Sequence, residues 1–162
     1  MDRPGNRPAR ALAVLRIGVG VLFLIFGEYK VFERQFAFGG GFQFWINQFL
    51  AGGAYPFMAP ILKSVVLPAA KPFALLVGYG EFAIGLSLVS GLLVRTASGF
   101  GAVYMLALLF SSNYPGPGVA FWRYFGASLS HLPLAMCFAV FLLAGPAEEL
   151  SLWYWWGSRR RR

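Results

Sequence analysis

A single carboxylate, Glu81, lies in the middle of an apolar segment from Phe73 to Val94 that is long enough to cross a membrane. A carboxylate at the centre of a membrane helix costs about 2.5–3.5 kcal/mol on insertion scales, so such residues are rare and need a partner or a function. Glu81 could hold a proton, pair with a cation or bind a polar ligand. Burial favours the neutral acid and a neighbouring cation favours the carboxylate, and the sequence leaves both outcomes open.

Several other polar residues fall near the same predicted side of the membrane as Glu81. At a helical rise of 1.5 Å per residue, Glu81 lies roughly 15 Å from the level of Lys71, and His131 lies roughly 12 Å from that of Arg123. The candidate residues are Glu81 and Lys30 for catalysis, and Glu28, His131, Tyr79 and Asn113 for ligand binding. Their similar depth predicts one polar pocket in the outer half of a helix bundle.

The charges in this group are expected to pair between helices. Glu28 and Lys30 are two positions apart, so they do not share a helix face. We expect Lys30 to pair with Glu81, or Glu28 with His131. A buried ion pair that only fixes the register of the helices is the alternative to a ligand site. Tyrosines in the spans could donate a hydrogen bond to a carbonyl oxygen, and the two candidates are Tyr79 and Tyr104.

The composition places the chain among membrane proteins. Of its 162 residues, 58% are hydrophobic and 12% are charged, whereas a soluble domain carries roughly 25% charged residues. The net charge of +8 is concentrated at the ends of the apolar runs, with Arg159–Arg162 closing the chain. This placement indicates membrane topology and contact of Arg159–Arg162 with anionic lipid, and it argues against nucleic-acid binding.

The sequence lacks the motifs of common soluble enzymes and metal sites. Cys137 is the only cysteine and His131 the only histidine. An intrachain disulfide, a cysteine-based zinc site and haem held by two histidines are therefore excluded, and we expect no metal. No GxGxxG, P-loop, HExxH or GxSxG is present. Whether the chain is an enzyme is left open.

Four segments of the chain are apolar enough to be membrane spans. They cover residues 11–32, 72–94, 96–112 and 124–144. Each approaches the roughly 20 residues that cross a bilayer core. Backbone groups in lipid must bond within their own segment, so we predict an all-α membrane protein. Its single domain, residues 1–162, is predicted to be a four-transmembrane-helix bundle with a tight hairpin at Val94–Ser98.

The first long loop contains an amphipathic pattern at residues 42–51. Apolar side chains recur at i, i+3, i+4, i+7 and i+8 from Phe42 to Leu50. This spacing predicts a short helix lying in the outer membrane interface. The helix would be either an aromatic anchor or a lid over a site that opens to the outer leaflet.

The distribution of basic residues predicts an orientation in the inner (cytoplasmic) membrane. Arginines precede the first span and follow the last, so the positive-inside rule favours a multi-pass protein with both termini cytoplasmic. The tail, residues 157–162, is then cytoplasmic. Arg16 has no predicted partner in the inner half, and we expect it to extend toward the cytoplasm.

The spans carry glycines and charges in a recognisable order. The first span contains Arg16, Gly20, Phe23, Gly27 and Lys30, in the order R…G…F…G-x-x-K. The second contains Glu81, Gly85, Leu88, Gly91-Leu92 and Arg95, in the order E…G…L…GL…R. The end of the last span contains Ala144-Gly145-Pro146, with Ser151-Leu152 beyond it. These patterns resemble those of the DoxX/DoxD family of small four-helix membrane proteins, whose last span closes with AGPG…SLD; Ala147 and Trp153 depart from that closing pattern.

This resemblance implies an association with membrane redox chemistry. Some members of the family are subunits of thiosulfate:quinone oxidoreductase, and others resemble partners of oxidoreductases or assembly factors without known catalysis. The first hypothesis is therefore an integral-membrane subunit of a quinone-linked redox system. Under this hypothesis, Glu81 accepts and releases a proton, and Lys30 binds an anionic or carbonyl oxygen of the ligand. Quinone is the expected non-covalent cofactor.

The second hypothesis is a non-catalytic structural or assembly subunit of a larger membrane complex. Both hypotheses predict contacts with the lipid bilayer and with other membrane or membrane-associated subunits. A transporter is a third alternative, which the absence of an inverted repeat makes less favourable.

Overall fold

The computed structural model describes residues 7–126, 131–144 and 150–152, and most of this chain is helical. The helices are α1 Arg7–Phe32, α2 Arg34–Phe38, α3 Gly41–Ala51, α4 Met58–Ile61, α5 Ala70–Ser90, α6 Val94–Ser111, α7 Arg123–Gly126 and α8 His131–Ala144. A π-helical turn, Leu62–Val66, follows α4. The prediction of an all-α protein is confirmed.

Within the described residues, three helices have the length and apolar composition of membrane spans. They are α1 with 26 residues, α5 with 21 and α6 with 18. The fourth predicted span, residues 124–144, corresponds to the short α7 and to α8, an apolar helix of 14 residues. Residues 127–130 between them lie outside the described chain. We call the end of the bundle at Phe32, Ala70 and Ser111 the loop end, and the opposite end the turn end.

Close packing of α1 against α5 depends on glycine. A Cβ atom placed on Gly27 would lie 2.8 Å from the backbone nitrogen of Phe82. One placed on Gly85 would lie 2.8 Å from the nitrogen of Leu24 and 2.9 Å from the carbonyl oxygen of Gly20. Lipid is as apolar as these side chains, so helices associate in it through close van der Waals contact, which small residues permit.

The helix α8 packs on α6 and also reaches α1. Gly101 on α6 leaves the space that the Phe138 ring occupies, and Phe138 and Phe141 are almost completely buried. The Phe138 ring meets the edge of the Phe23 ring on α1 at 5.1 Å between centroids. A single aromatic layer therefore joins three helices in the core.

The hairpin between α5 and α6 is formed by residues 91–93, not by the predicted Val94–Ser98. Gly91 ends α5 with a left-handed backbone (φ 77°), and its N–H donates to the carbonyl oxygen of Ser87. Leu93 is also left-handed (φ 52°), and α6 begins at Val94. The prediction was wrong because it extended the apolar span to Val94, whereas the conformational freedom of Gly91 ends the helix at Ser90. Arg95 lies in the first turn of α6.

Arg16 is buried at the turn end, which corrects the expectation that it extends toward the cytoplasm. Its side chain is 1% exposed, and Nη2 donates to the carbonyl oxygen of Leu150 at 3.2 Å. Ser151 is 3% exposed beside it. Leu150 therefore supplies a backbone acceptor to the bundle, and the sequence contained no periodic signal for this contact.

A substitution at Gly91 tests how tightly this turn is packed. We expect Gly91→Ala to lower the free energy of unfolding by about 1–2 kcal/mol, because an L-residue is strained in the left-handed region. The added Cβ would also come within 2.5 Å of Nη1 of Arg16. Thermal unfolding in detergent measures the loss. Gly99→Ala is the control, since its Cβ would have no atom within 4 Å; equal effects of the two changes would contradict this packing.

The first long loop folds onto α5 at the loop end. Its helix α3 covers the segment predicted from the amphipathic pattern, with Phe42 and Ile46 buried and Trp45 49% exposed. A second hydrophobic cluster joins these residues to α2 and to α5, through Phe36 and Ala74 among others. The apolar face of α3 therefore packs on protein, and Trp45 is on its exposed side.

Candidate functional site

Lys30 and Glu81 form an ion pair between α1 and α5. Lys30 Nζ donates to Glu81 Oε1 at 2.6 Å and to Oε2 at 2.5 Å. The side chains are 12% and 7% exposed, respectively. The expected pairing of these two residues is present. It depends on Gly78, since a Cβ there would lie 3.2 Å from Cβ of Lys30.

Tyr104 on α6 completes a three-residue network. Its hydroxyl donates to Glu81 Oε1 at 2.5 Å. Both Tyr79 and Tyr104 were considered as donors to a ligand, but only Tyr79 was predicted as a ligand-binding residue. Tyr79 is 58% exposed on α5 and outside the network. The sequence did contain a pattern that could have identified Tyr104. Glu81 lies ten residues before Gly91, and Tyr104 lies ten residues after Val94. Equal distances from a hairpin place two residues at one depth.

Two aromatic rings surround the ammonium group of Lys30. Nζ lies 5.7 Å from the ring centroid of Tyr29 on α1 and 5.5 Å from that of Phe36 on α2. The two rings contact each other edge to face, with centroids 5.9 Å apart. Phe36 is buried and Tyr29 is 37% exposed. The quadrupole of each ring stabilises the cation, so α2 helps to cover the site.

The hydrogen-bond capacity of Lys30 exceeds what Glu81 uses. A lysine ammonium has three N–H donors, and Glu81 accepts two of them. Among the residues that the structure describes, the third N–H has no acceptor. The Glu81 oxygens are both occupied, and Oε1 accepts from Lys30 and Tyr104 together. The network can therefore still bind one acceptor atom, such as a carbonyl or anionic oxygen, through Lys30.

The remaining predicted ligand residues lie elsewhere. Glu28 is exposed, on the opposite side of α1 from Lys30. Asn113 is exposed beyond the end of α6, with a left-handed backbone (φ 59°) and a bond from Nδ2 to Ser112 Oγ. His131 is partly buried at the start of α8, and its Nδ1 has no hydrogen-bond partner within the described chain. None of them, nor Tyr79, is hydrogen-bonded to the network.

The family comparison agrees with this architecture. The DoxX family model matches residues 11–113, more than half of the chain. No curated protein and no solved structure is detectably similar to it. The matched region runs from α1 to the end of α6 and so contains Lys30, Glu81 and Tyr104. The chain therefore belongs to the DoxX family of membrane proteins.

Proposed function

We propose that the chain is an integral-membrane subunit of a quinone-linked redox system, and that Lys30, Glu81 and Tyr104 form its quinone-binding site. The observation that carries this proposal is the third N–H of Lys30, which has no acceptor within the described chain and lies beside the rings of Tyr29 and Phe36. A quinone presents a carbonyl oxygen, which needs a donor, and a flat apolar ring, which packs well against aromatic side chains.

The residues of the site have separate roles in this proposal. Lys30 donates to the carbonyl oxygen, and Glu81 holds the lysine side chain in place through its two carboxylate oxygens. Tyr104 holds the Glu81 carboxylate in position through the hydroxyl bond to Oε1. Reduction of a quinone to a quinol consumes two electrons and two protons. The electrons would come from a redox-active partner subunit and both protons ultimately from water. Lys30, which contacts the ligand oxygen in this proposal, would pass it one proton and regain one from water through Glu81.

The proposed membrane arrangement places this site in the outer half of the cytoplasmic membrane. Residues 124–144 complete a fourth span, and both termini are cytoplasmic, so that the loop end faces outward. The helix α3 lies in the outer interface, where Trp45 contacts lipid headgroups. Together with α2 it acts as a lid beside Lys30. The basic tail, which lies outside the described residues, contacts anionic lipid.

A second function, a structural or assembly subunit without a ligand, is favoured by a different observation. Both oxygens of Glu81 are satisfied within the chain, by Lys30 and by Tyr104. An ion pair completed in this way fixes helix register without needing a ligand. The two functions differ in the bound quinone they predict for a variant that lacks the pair but keeps the bundle intact. A quinone site predicts that bound quinone is lost, and a structural subunit predicts no change in quinone content.

The test uses Lys30→Met/Glu81→Leu, which removes both charges together and leaves no unpaired ion. The intact complex is purified from its native membrane in mild detergent, and bound quinone is extracted and quantified per copy of the chain. We expect the double variant to lose bound quinone by about tenfold or more, the value of one charged hydrogen bond of about 1.5–3 kcal/mol. Quinone reduction should fall in parallel.

The matched control is Lys63→Met, which removes an exposed lysine in the first long loop. It should retain bound quinone. Quinone content that is unchanged in the double variant would overturn the quinone site. If the complex also stayed assembled and stable, that result would favour the structural subunit.

A further inference from the structure

The helix α1 carries an uncovered face that runs from Val14 to its end at Phe32. Six exposed residues follow one another in alternating steps of four and three, which is the spacing of one helix–helix contact face. They are Val14, Gly18, Val21, Ile25, Glu28 and Phe32. We call this face the α1 seam. A Cβ on Gly18 would meet no atom within 4 Å, so a neighbouring helix has room to approach closely there.

Glu28 is the only charged residue of the α1 seam, and its level in the bundle follows from the contacts between α1 and α5. Gly27 packs against Phe82 and Lys30 against Gly78, so Glu28 is level with Gly80 on α5. Gly80 is the middle residue of α5, which runs from Ala70 to Ser90, roughly 15 Å from either end at the helical rise. The exposed carboxylate therefore faces outward at the level of the middle of α5, four residues before the end of α1.

No group in the described chain satisfies this carboxylate. Glu28 and Lys30 are separated by about 200° around α1, and Lys30 is committed to Glu81. Glu28 makes no hydrogen bond or ion pair with any described residue. An ionised side chain that faces lipid at this depth is strongly disfavoured, whereas one that faces a cation in another protein is satisfied.

We propose that the α1 seam binds a membrane helix of a different protein, and that this helix carries a lysine or arginine that pairs with Glu28. A second copy of the chain fits less well, because a symmetric contact through the seam brings two Glu28 carboxylates together. The chain also offers no suitable cation of its own at this depth: among the described residues, Arg16 and Lys30 are held inside the bundle. The other described cations lie near the ends of the helices or in the loops. This inference does not depend on quinone binding.

The test places a photo-crosslinking residue, benzoylphenylalanine, at Ile25 in the full-length chain and irradiates native membranes. The matched control position is Val103, which is 68% exposed on α6, next to Tyr104. We expect an adduct from Ile25 with one protein of different sequence, and mapping of that adduct to a membrane segment that contains a lysine or arginine. Val103 should give lipid adducts or a different partner.

The role of Glu28 is tested in the same chain. We expect Glu28→Leu to lower the yield of the mapped adduct about tenfold or more, because it leaves the partner's cation unpaired in the membrane. Glu28→Lys should also abolish the adduct, and exchanging the partner's basic residue for glutamate should restore it. Thermal unfolding of the isolated Glu28→Leu chain should be unchanged, since the residue faces away from the core.

Three results would overturn the proposal. One is an adduct that joins two copies of this chain, which would make the seam a self-association surface. Another is lipid adducts alone from Ile25. The last is a partner adduct whose yield is the same with Glu28→Leu as with the native residue.

Discussion

Lys30→Met is expected to lower the free energy of unfolding of the detergent-solubilised chain by about 3–5 kcal/mol, the cost of leaving one partner of a buried ion pair without the other. The Glu81 side chain is 7% exposed and would retain only the hydroxyl of Tyr104. Burial prevents water from replacing the lost cation. Equilibrium unfolding, followed by circular dichroism during titration with a denaturing detergent, measures the change.

A double variant that replaces both Lys30 and Glu81 separates the effect of the charges on stability from the effect of packing. Lys30→Met/Glu81→Leu removes both ions and keeps apolar side chains of similar size, so its free energy of unfolding should fall by only about 1–3 kcal/mol, the cost of leaving the Tyr104 hydroxyl without its acceptor. The coupling free energy between Lys30 and Glu81 is obtained by comparing the native chain, the two single variants and the double variant in a double-mutant cycle. A double variant as unstable as the sum of the two single changes would show that the pair has no special contribution and that the loss comes from packing.

Gly85→Ala should have the second largest effect, lowering the free energy of unfolding by roughly 2–3 kcal/mol. The new Cβ would meet the Leu24 nitrogen and the Gly20 carbonyl oxygen on α1, at 2.8 and 2.9 Å. Backbone atoms of a helix cannot rotate away as a side chain would, so α1 and α5 must separate. Thermal unfolding measures this loss, and the same separation should weaken the contact between Lys30 and Glu81.

Gly80→Ala on the same helix is the control for this change. A Cβ there has no atom within 4 Å, and alanine in a helix interior is favoured over glycine by roughly 0.5–1 kcal/mol. Gly85→Ala should therefore lower the free energy of unfolding, and Gly80→Ala should raise it. A similar loss at both positions would mean that helix propensity, and not the close approach of α1 and α5, controls the outcome.

The depth of each polar group was predictable from the sequence. The rise per residue is constant within a helix, so distances from Lys71 and from the α5–α6 hairpin place Glu81 near the middle of its span. The expectation that Glu81 pairs with Lys30, one of the two pairings considered, followed from that depth. Membership of the DoxX family was also suggested by the order of glycines and charges in the first two spans, and the family match confirms it.

The facing direction of each side chain was not predictable in the same way. Glu28 has nearly the depth of Lys30, but rotation about α1 points it outward and leaves Lys30 inside. Tyr79 and Tyr104 are chemically equivalent, and only the packing of α6 beside α5 brings Tyr104 to Glu81. Arg16 is another case, since its acceptor is a backbone carbonyl 134 positions away.

By itself, therefore, the sequence determined the membrane class, three helices long enough to span a membrane and the need of Glu81 for a partner, because hydrophobicity and helical rise are local properties of the chain. The tertiary structure decided which groups meet. The rotation of each helix is set by where its glycines allow a neighbouring backbone to approach, at Gly27 and Gly85 above all. That rotation unites Lys30, Glu81 and Tyr104 in one network and leaves Glu28 on an open face.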